Sequence, residues 1–147
     1  MTERINKKIA IIILLTLCFR FTSIPYVVSG ESMEPTLHNK DFGIAVRTNF
    51  ISIDRFDIVV VKQDGKYLIK RVIGLPGEHI KCVSSSIYIN DSEIRDKYAM
   101  GVTGNFDYKL NENEYFCLGD NRTNSTDSRE YGCFNKKQIK AISLSKK

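Results

Sequence analysis

Residues 9–19, IAIIILLTLCF, are apolar except for Thr16, and this run restricts the fold more than any other stretch of the chain. Its length alone suits a signal-peptide core, a buried helix or part of a membrane anchor. A cleaved signal peptide needs small residues spaced like A-x-A just after its core. Arg20, Phe21, Thr22, Ser23 and Ile24 stand there instead. A helix over 5–24 would extend roughly 30 Å at ~1.5 Å per residue, about one hydrocarbon thickness. Pro25 disfavours helix at its predecessor and supplies a stop. Arg20 then lies near one end, where a long side chain reaches the interface. Arg4, Lys7 and Lys8 at the other end favour an N-terminus inside the cell. The expectation is a basic cytoplasmic N-terminus at 1–8, an uncleaved transmembrane anchor at 9–27 and an extracytoplasmic domain at 28–147 of the plasma membrane.

The net charge of +5 would suit nucleic acid if it covered a folded body. It does not: the basic residues gather before residue 28 and in the tail 136–147, which has five lysines and no acid. Residues 29–135 between them carry a net −3. A nucleic-acid binder shows a basic face with interleaved aromatics on its body, so none is expected as a partner. Near a bilayer the tail can touch anionic lipid or stay solvated. Cys18, Cys82, Cys117 and Cys133 show no C-x-x-C spacing, and with only His38 and His79 there is no zinc signature. No disulfide, metal or cofactor is expected, and nothing implies an obligate oligomer.

Beyond residue 36 the pattern has period two. Phe42, Ile44 and Val46 alternate with Gly43, Ala45 and Arg47, the signature of a half-buried strand. DIVVVK (57–62) and YLIKRVI (67–73) flank an Asp-Gly pair, a hairpin signal. SIYIN (86–90), EYFCL (114–118) and QIKAISL (138–144) predict further strands, with polar turns between them. The fold class is mainly β, an antiparallel sheet domain behind one N-terminal transmembrane helix.

Directly after the apolar region comes SGESMEPT (29–36). A serine in such a loop is ordinary turn chemistry unless a base activates its hydroxyl. Alternation in YLIKRVI puts Leu68, Lys70 and Val72 on one strand face, and Ile69, Arg71 and Ile73 on the other. Lys70 is thus flanked by aliphatic groups, and a desolvated lysine gives up its proton readily. Its neutral amine can then take the proton of a serine hydroxyl without any histidine. His38 in a polar turn and His79 after a Pro-Gly turn have no comparable setting. Finally LGDNRTNSTDSREYG (118–132) is dense in hydrogen-bonding side chains. Such a loop is either solvated or the element that fixes a dyad from behind.

Taken together, the anchor, PYVVSGESMEPTL (25–37), DIVVVK, LIKRVIGLPGE (68–78) and the 118–132 loop resemble type I signal peptidases of peptidase family S26. Those are membrane-bound serine endopeptidases that remove signal peptides from exported preproteins after small residues of the Ala-X-Ala type. The resemblance implies Ser32 as nucleophile and Lys70 as general base. It implies that Ser125 orients the lysine amine, that Asp127 and Arg129 form a supporting pair, and that Asp120 is the partner of Arg71. It further implies that Val28, Met33, Leu37, Leu68 and Ile69 line shallow pockets for small side chains. Its partners would be preprotein signal peptides and the lipid bilayer.

The chain departs from the family pattern in three places. Gly30 stands where some members carry a hydroxyl that helps form the oxyanion hole, so the Ser32 backbone N–H is left as donor. Little chain separates Glu78 from Gly119, so the extra β-domain of larger members is expected to be absent or vestigial. Glu78 itself stands where aspartate is usual. Other readings are a dedicated S26-type peptidase of conjugative transfer or pilin maturation, or a non-catalytic scaffold of the same fold. A self-cleaving repressor would need a DNA-binding domain in place of the anchor.

Overall fold

The computed structural model describes residues 2–145, with side chains from Asn6 onward, so Arg4, Lys146 and Lys147 of the basic termini lie outside what is described. Helix α1 covers Thr2–Thr22. No helix among the described residues is long and apolar enough to cross a membrane. The helix is shorter at its end than Pro25 alone suggests. Ser23–Val27 is instead strand β1, pairing antiparallel with β2 (Phe42–Arg47) with Pro25 opposite Ile44. The end of the segment read as anchor therefore belongs to the sheet. Proline is admitted there because β1 is an edge strand, with no second ladder for its missing N–H to serve.

The chain continues as β3 (Ile58–Gln63), β4 (Lys66–Gly74), β5 (His79–Val83), β6 (Ser86–Ile89), β7 (Ser92–Ile94), β8 (Phe106–Lys109) and β9 (Glu114–Leu118). A short helix α2 (Ser128–Tyr131), β10 (Phe134–Asn135), a 3-10 turn and β11 (Ile139–Ser143) complete it. Seven strands form one antiparallel sheet in the order β1-β2-β11-β3-β4-β9-β10. The β3–β4 hairpin turns at Asp64 and Gly65, both with positive φ, as a two-residue turn matched to strand twist requires. The two faces of β4 separate as alternation demands. Leu68 and Val72 pack with Val59, Val61 and Cys117, whereas Ile69 packs with Val28, Met33, Leu37 and Ile58.

Residues 79–109 are more than a vestige. They build a second antiparallel sheet, β7-β6-β5-β8, whose Ile80, Cys82, Ile87 and Ile89 pack against Ile73, Phe116 and Leu118 of the first. Burying apolar surface at ~25 cal/mol per Å² makes this small sheet part of the main core rather than an appendage. Its strands are short and joined by Ser84–Ser85 and Asn90–Asp91, all four with positive φ. The segment 95–105 then runs from this sheet to the loop after β9, where Met100 N–H donates to Asp120 O (2.7 Å) and Arg122 N–H to Met100 O (2.8 Å).

Candidate active site

Lys70 stands on β4 opposite Val59 of β3. Its neighbour Arg71 pairs with Leu118, the last residue of β9, so Lys70 faces Gly119, where β9 gives way to the 119–127 loop. Ser32 arrives from the other side, in a turn closed by Glu34 N–H to Glu31 O (3.1 Å) and Leu37 N–H to Met33 O (2.9 Å). Asn121 N–H donates to Ser32 O (3.1 Å), tying the turn to the loop. The result places Lys70 Nζ 2.8 Å from Ser32 Oγ. Lys70 is only 3% exposed, while Ser32 remains partly accessible. An amine hidden behind a reachable hydroxyl is the arrangement a base and its nucleophile require.

Burial holds the Lys70 amine below its ordinary value of 10.5; Asp127, Cys117 and Asp120 oppose that shift and Arg129 adds to it. Desolvation of the charged form outweighs the attraction of the nearby carboxylates. Burial also pushes the Cys117 thiol up. The four cysteines are free thiols.

The loop behind Ser32 and Lys70 is fixed by two ion pairs, one buried and one half-buried. Arg71 Nε and Nη2 donate to the two carboxylate oxygens of Asp120 at 2.8 and 2.6 Å, a bidentate fork. Arg71 also donates to Phe56 O (2.8 Å) and lies 3.6 Å from the centre of the Tyr98 ring, a cation–π stack. Asp127 caps α2, accepting from Arg129 N–H, and its carboxylate takes Gly119 N–H (2.9 Å) and the Arg129 guanidinium (2.9 Å). Arg129 reaches on to Thr103 O (2.9 Å) and Ser125 O (3.3 Å). Gly119 has no room for a side chain: a Cβ there would overlap Ser125 Oγ and stand 2.5 Å from Ser32 O.

Three sequence expectations differ in the structure. Ser125 Oγ makes no hydrogen bond to Lys70; it is shielded from solvent and has no partner among the described residues. The hydroxyl lies beside Gly119, in the space a side chain there would take. Val28, Met33 and Leu37 are core residues, 1–4% exposed, and offer no open pocket surface. Leu68 packs on the opposite face from Ile69, since neighbours on a strand alternate, so the five apolar positions do not share one surface. At the oxyanion side, Gly30 has φ +91°, a conformation that suits glycine, and its N–H is taken by Asn39 Oδ1 (3.1 Å). Ser32 N–H meets no acceptor among the described residues.

An orphaned buried hydroxyl costs stability that its removal returns. Ser125→Ala should therefore leave the melting temperature unchanged or slightly raised, while activity falls if the hydroxyl swings to the amine in the working enzyme. Paired thermal melts and cleavage rates check this, and a loss of both together would mean a structural role instead.

Two further contacts, one buried and one half-buried, carry no signal in local pattern. Arg122 forms an ion pair with Asp96 and donates to Gly119 O (2.8 Å) and Thr103 Oγ1 (3.0 Å), joining the 95–105 segment to the loop. Arg55 grips Glu78 through two nitrogens (2.9 and 2.5 Å), and Glu78 takes Leu75 N–H (2.7 Å), which fixes the turn after β4. Glutamate fits that place because its longer arm spans to Arg55 and back to the turn.

Comparison with known proteins points to one family. The model of the family described as signal peptidase, peptidase S26, matches residues 1–144. Signal peptidase I S of Bacillus subtilis (strain 168) is 39% identical over 154 positions, covering 93% of this chain and 84% of its own. Signal peptidase I of Bacillus amyloliquefaciens is 38% identical, covering 93% and 83%. A crystal structure of a signal peptidase I from Enterococcus faecalis V583 is 28% identical, with a TM-score of 0.58 over 63% of this chain and 97% of that one.

Proposed function

We propose, from the premise that the chain belongs to the signal peptidase family S26, that it is a serine endopeptidase of the signal peptidase I kind working through a Ser32–Lys70 dyad. It removes N-terminal signal peptides from exported preproteins. The observation that carries the assignment of roles is the 2.8 Å contact between a desolvated Lys70 amine and Ser32 Oγ.

In this reading the neutral Lys70 amine accepts the Ser32 hydroxyl proton as Oγ attacks the scissile carbonyl. The ammonium so formed returns that proton to the departing amine, leaving an acyl-enzyme on Ser32. Water, deprotonated by the same amine, then attacks the ester and releases the new C-terminus, the ammonium returning the proton to Ser32 Oγ as it leaves. The free Ser32 N–H stabilises the developing oxyanion. Asp127, Arg129, Asp120 and Arg71 hold β4 and the loop in place without touching substrate.

Membrane attachment through α1 belongs to the same proposal. Ile11, Leu14, Leu15 and Leu17 stand more than half exposed, and Val27, Phe42 and Phe50 extend the apolar surface onto the adjoining domain. Such a surface is satisfied by lipid. An anchored nucleophile at the bilayer surface meets a substrate that is itself inserted there, which restricts the search and orients the encounter.

The test is cleavage of a preprotein by the purified protein in detergent. Ser32→Ala should lower the rate by roughly 10³-fold or more while the fold is retained by circular dichroism. Turnover by Ser32→Ala near the wild-type rate would overturn the dyad.

A further inference from the structure

We propose that the junction of α1 with the sheet binds one anionic phospholipid of the membrane, its phosphate held between Arg20 and Arg47 and its acyl chains lying along α1. This rests on the reading of α1 as a membrane anchor. A cleft of about 480 Å³ at the junction is lined by Phe19, Ile24, Pro25 and Phe42, with Arg20 and Arg47 as its charged members. A second groove of about 420 Å³ runs up the helix along Ile12, Leu15 and Thr16 and shares Phe19 and Arg20 with the first. The two adjoin at these shared residues, mostly apolar along the helix, with Arg20 and Arg47 at the junction. That is the shape and polarity of a phospholipid.

No acid lines either cavity, and neither arginine forms an ion pair with a described carboxylate. Arg47 spends its Nε on Phe21 O (3.1 Å), leaving its two terminal nitrogens for a ligand. The last carbonyls of a helix would repel a phosphate, but here they are engaged. Ser23 Oγ donates to Phe19 O (2.5 Å), Thr22 Oγ1 to Cys18 O (3.0 Å) and Arg47 to Phe21 O. The planar guanidinium fork suits phosphate oxygens better than an ammonium does. Arg47 also borders a wider groove that carries Lys136, Lys137 and Lys140 and no acid, which adds positive potential on the same side. A choline headgroup would bring a cation to a place with no carboxylate to meet it, so the lipid is one with net negative charge.

The experiment places the full-length protein in phosphatidylcholine nanodiscs containing a minor fraction of phosphatidylglycerol, then measures by mass spectrometry the lipid retained on mild extraction. Each interfacial cation favours anionic lipid by about fivefold, so two give roughly thirtyfold enrichment of phosphatidylglycerol. Arg20→Gln and Arg47→Gln should each lose about fivefold, the double variant should show no preference, and Arg→Lys at both positions should keep part of it. A wild type without preference, or a double variant that keeps it, overturns the site. Displacement of the lipid by inorganic phosphate at matched concentration would reveal a bare anion site and also overturn it. Flotation separates the two readings. Protein that stays with the membrane without preference sinks the lipid site alone, whereas wild type that leaves the membrane sinks the anchor and the site with it. Preprotein cleavage should continue in the double variant, because neither arginine touches the dyad.

Discussion

Lys70→Met should abolish cleavage and raise stability at neutral pH, and the two effects share one cause. The amine is almost wholly buried, and desolvation holds its pKa below 10.5 despite Asp127 and Asp120 nearby. An unshifted lysine would be neutral in roughly one molecule in 3,000 at pH 7, too few to serve as a base. A lowered value raises that fraction at the expense of the folded state. The folded chain binds fewer protons than the unfolded chain between the lowered pKa and 10.5, so stability rises with pH across that window. Below the window wild type bears the full cost of a buried ammonium. Methionine, of similar length and uncharged, removes that cost, so its stabilising effect should be largest below the folded pKa and vanish as pH approaches 10.5. Cleavage should fall by about 10³-fold or more, the contribution of a lost general base. Wild-type activity should rise with pH along a limb whose midpoint lies below 10.5. Lys70→Arg should be inactive at every pH, since a guanidinium does not release its proton. Urea titrations at several pH values, set beside the pH–rate profile, check all three. An active Lys70→Arg enzyme, or a limb unmoved in Lys70→His, would assign the base elsewhere.

The chemistry of the site is written in short range, and the scaffold that positions it is not. Alternation around Lys70 is local, so the amine's aliphatic surroundings and the opposite facing of Arg71 can be read from seven consecutive residues. The Asp-Gly turn is equally local. The edge strand β1 escapes such reading because Pro25 argues for a stop, and only the partner strand β2 shows that the stop continues as sheet. Of the second sheet only β6 is legible, in SIYIN; its partners escape because they hold three to five residues each, joined by polar pairs that also occur in plain loops. Burial of Val28, Met33 and Leu37 is a tertiary outcome: apolar residues beside a nucleophile suit a pocket and a core alike, and packing against Ile58 decides for the core. Asp96 and Arg122 lie 26 positions apart on unrelated segments, and no periodicity links them. The orphaned Ser125 hydroxyl is invisible for the same reason, since a motif names a residue type and not the direction of its side chain.

The largest effect on stability is expected at Asp120. Both its oxygens are occupied by Arg71, and neither side chain is more than 2% exposed. An exposed pair would contribute about 0–1 kcal/mol, but breaking a buried one leaves a charge in low dielectric and costs roughly 3–5 kcal/mol. Asp120→Asn keeps the shape and removes the charge, so the loss reports on the stranded guanidinium. Part of that charge is met by Phe56 O and by the Tyr98 ring, which puts the expected cost toward the lower end of the range. Arg71→Met combined with Asp120→Leu removes both charges, and it should be less destabilising than Asp120→Asn alone, because apolar groups fill the space without an unpaired ion. Urea midpoints of the single and double variants give the comparison directly. Activity should follow a different order. Arg71 adjoins Lys70 on β4 and Asp120 adjoins Gly119, whose carbon lies against Ser32 O, so the pair clamps the two segments that carry the dyad. The double variant, though better folded than Asp120→Asn, loses that clamp and should lose kcat more than it alters KM. A double variant with wild-type kcat would show the ion pair to be a stability element only, and the dyad to be held by Asp127 and the Arg122–Asp96 contact instead.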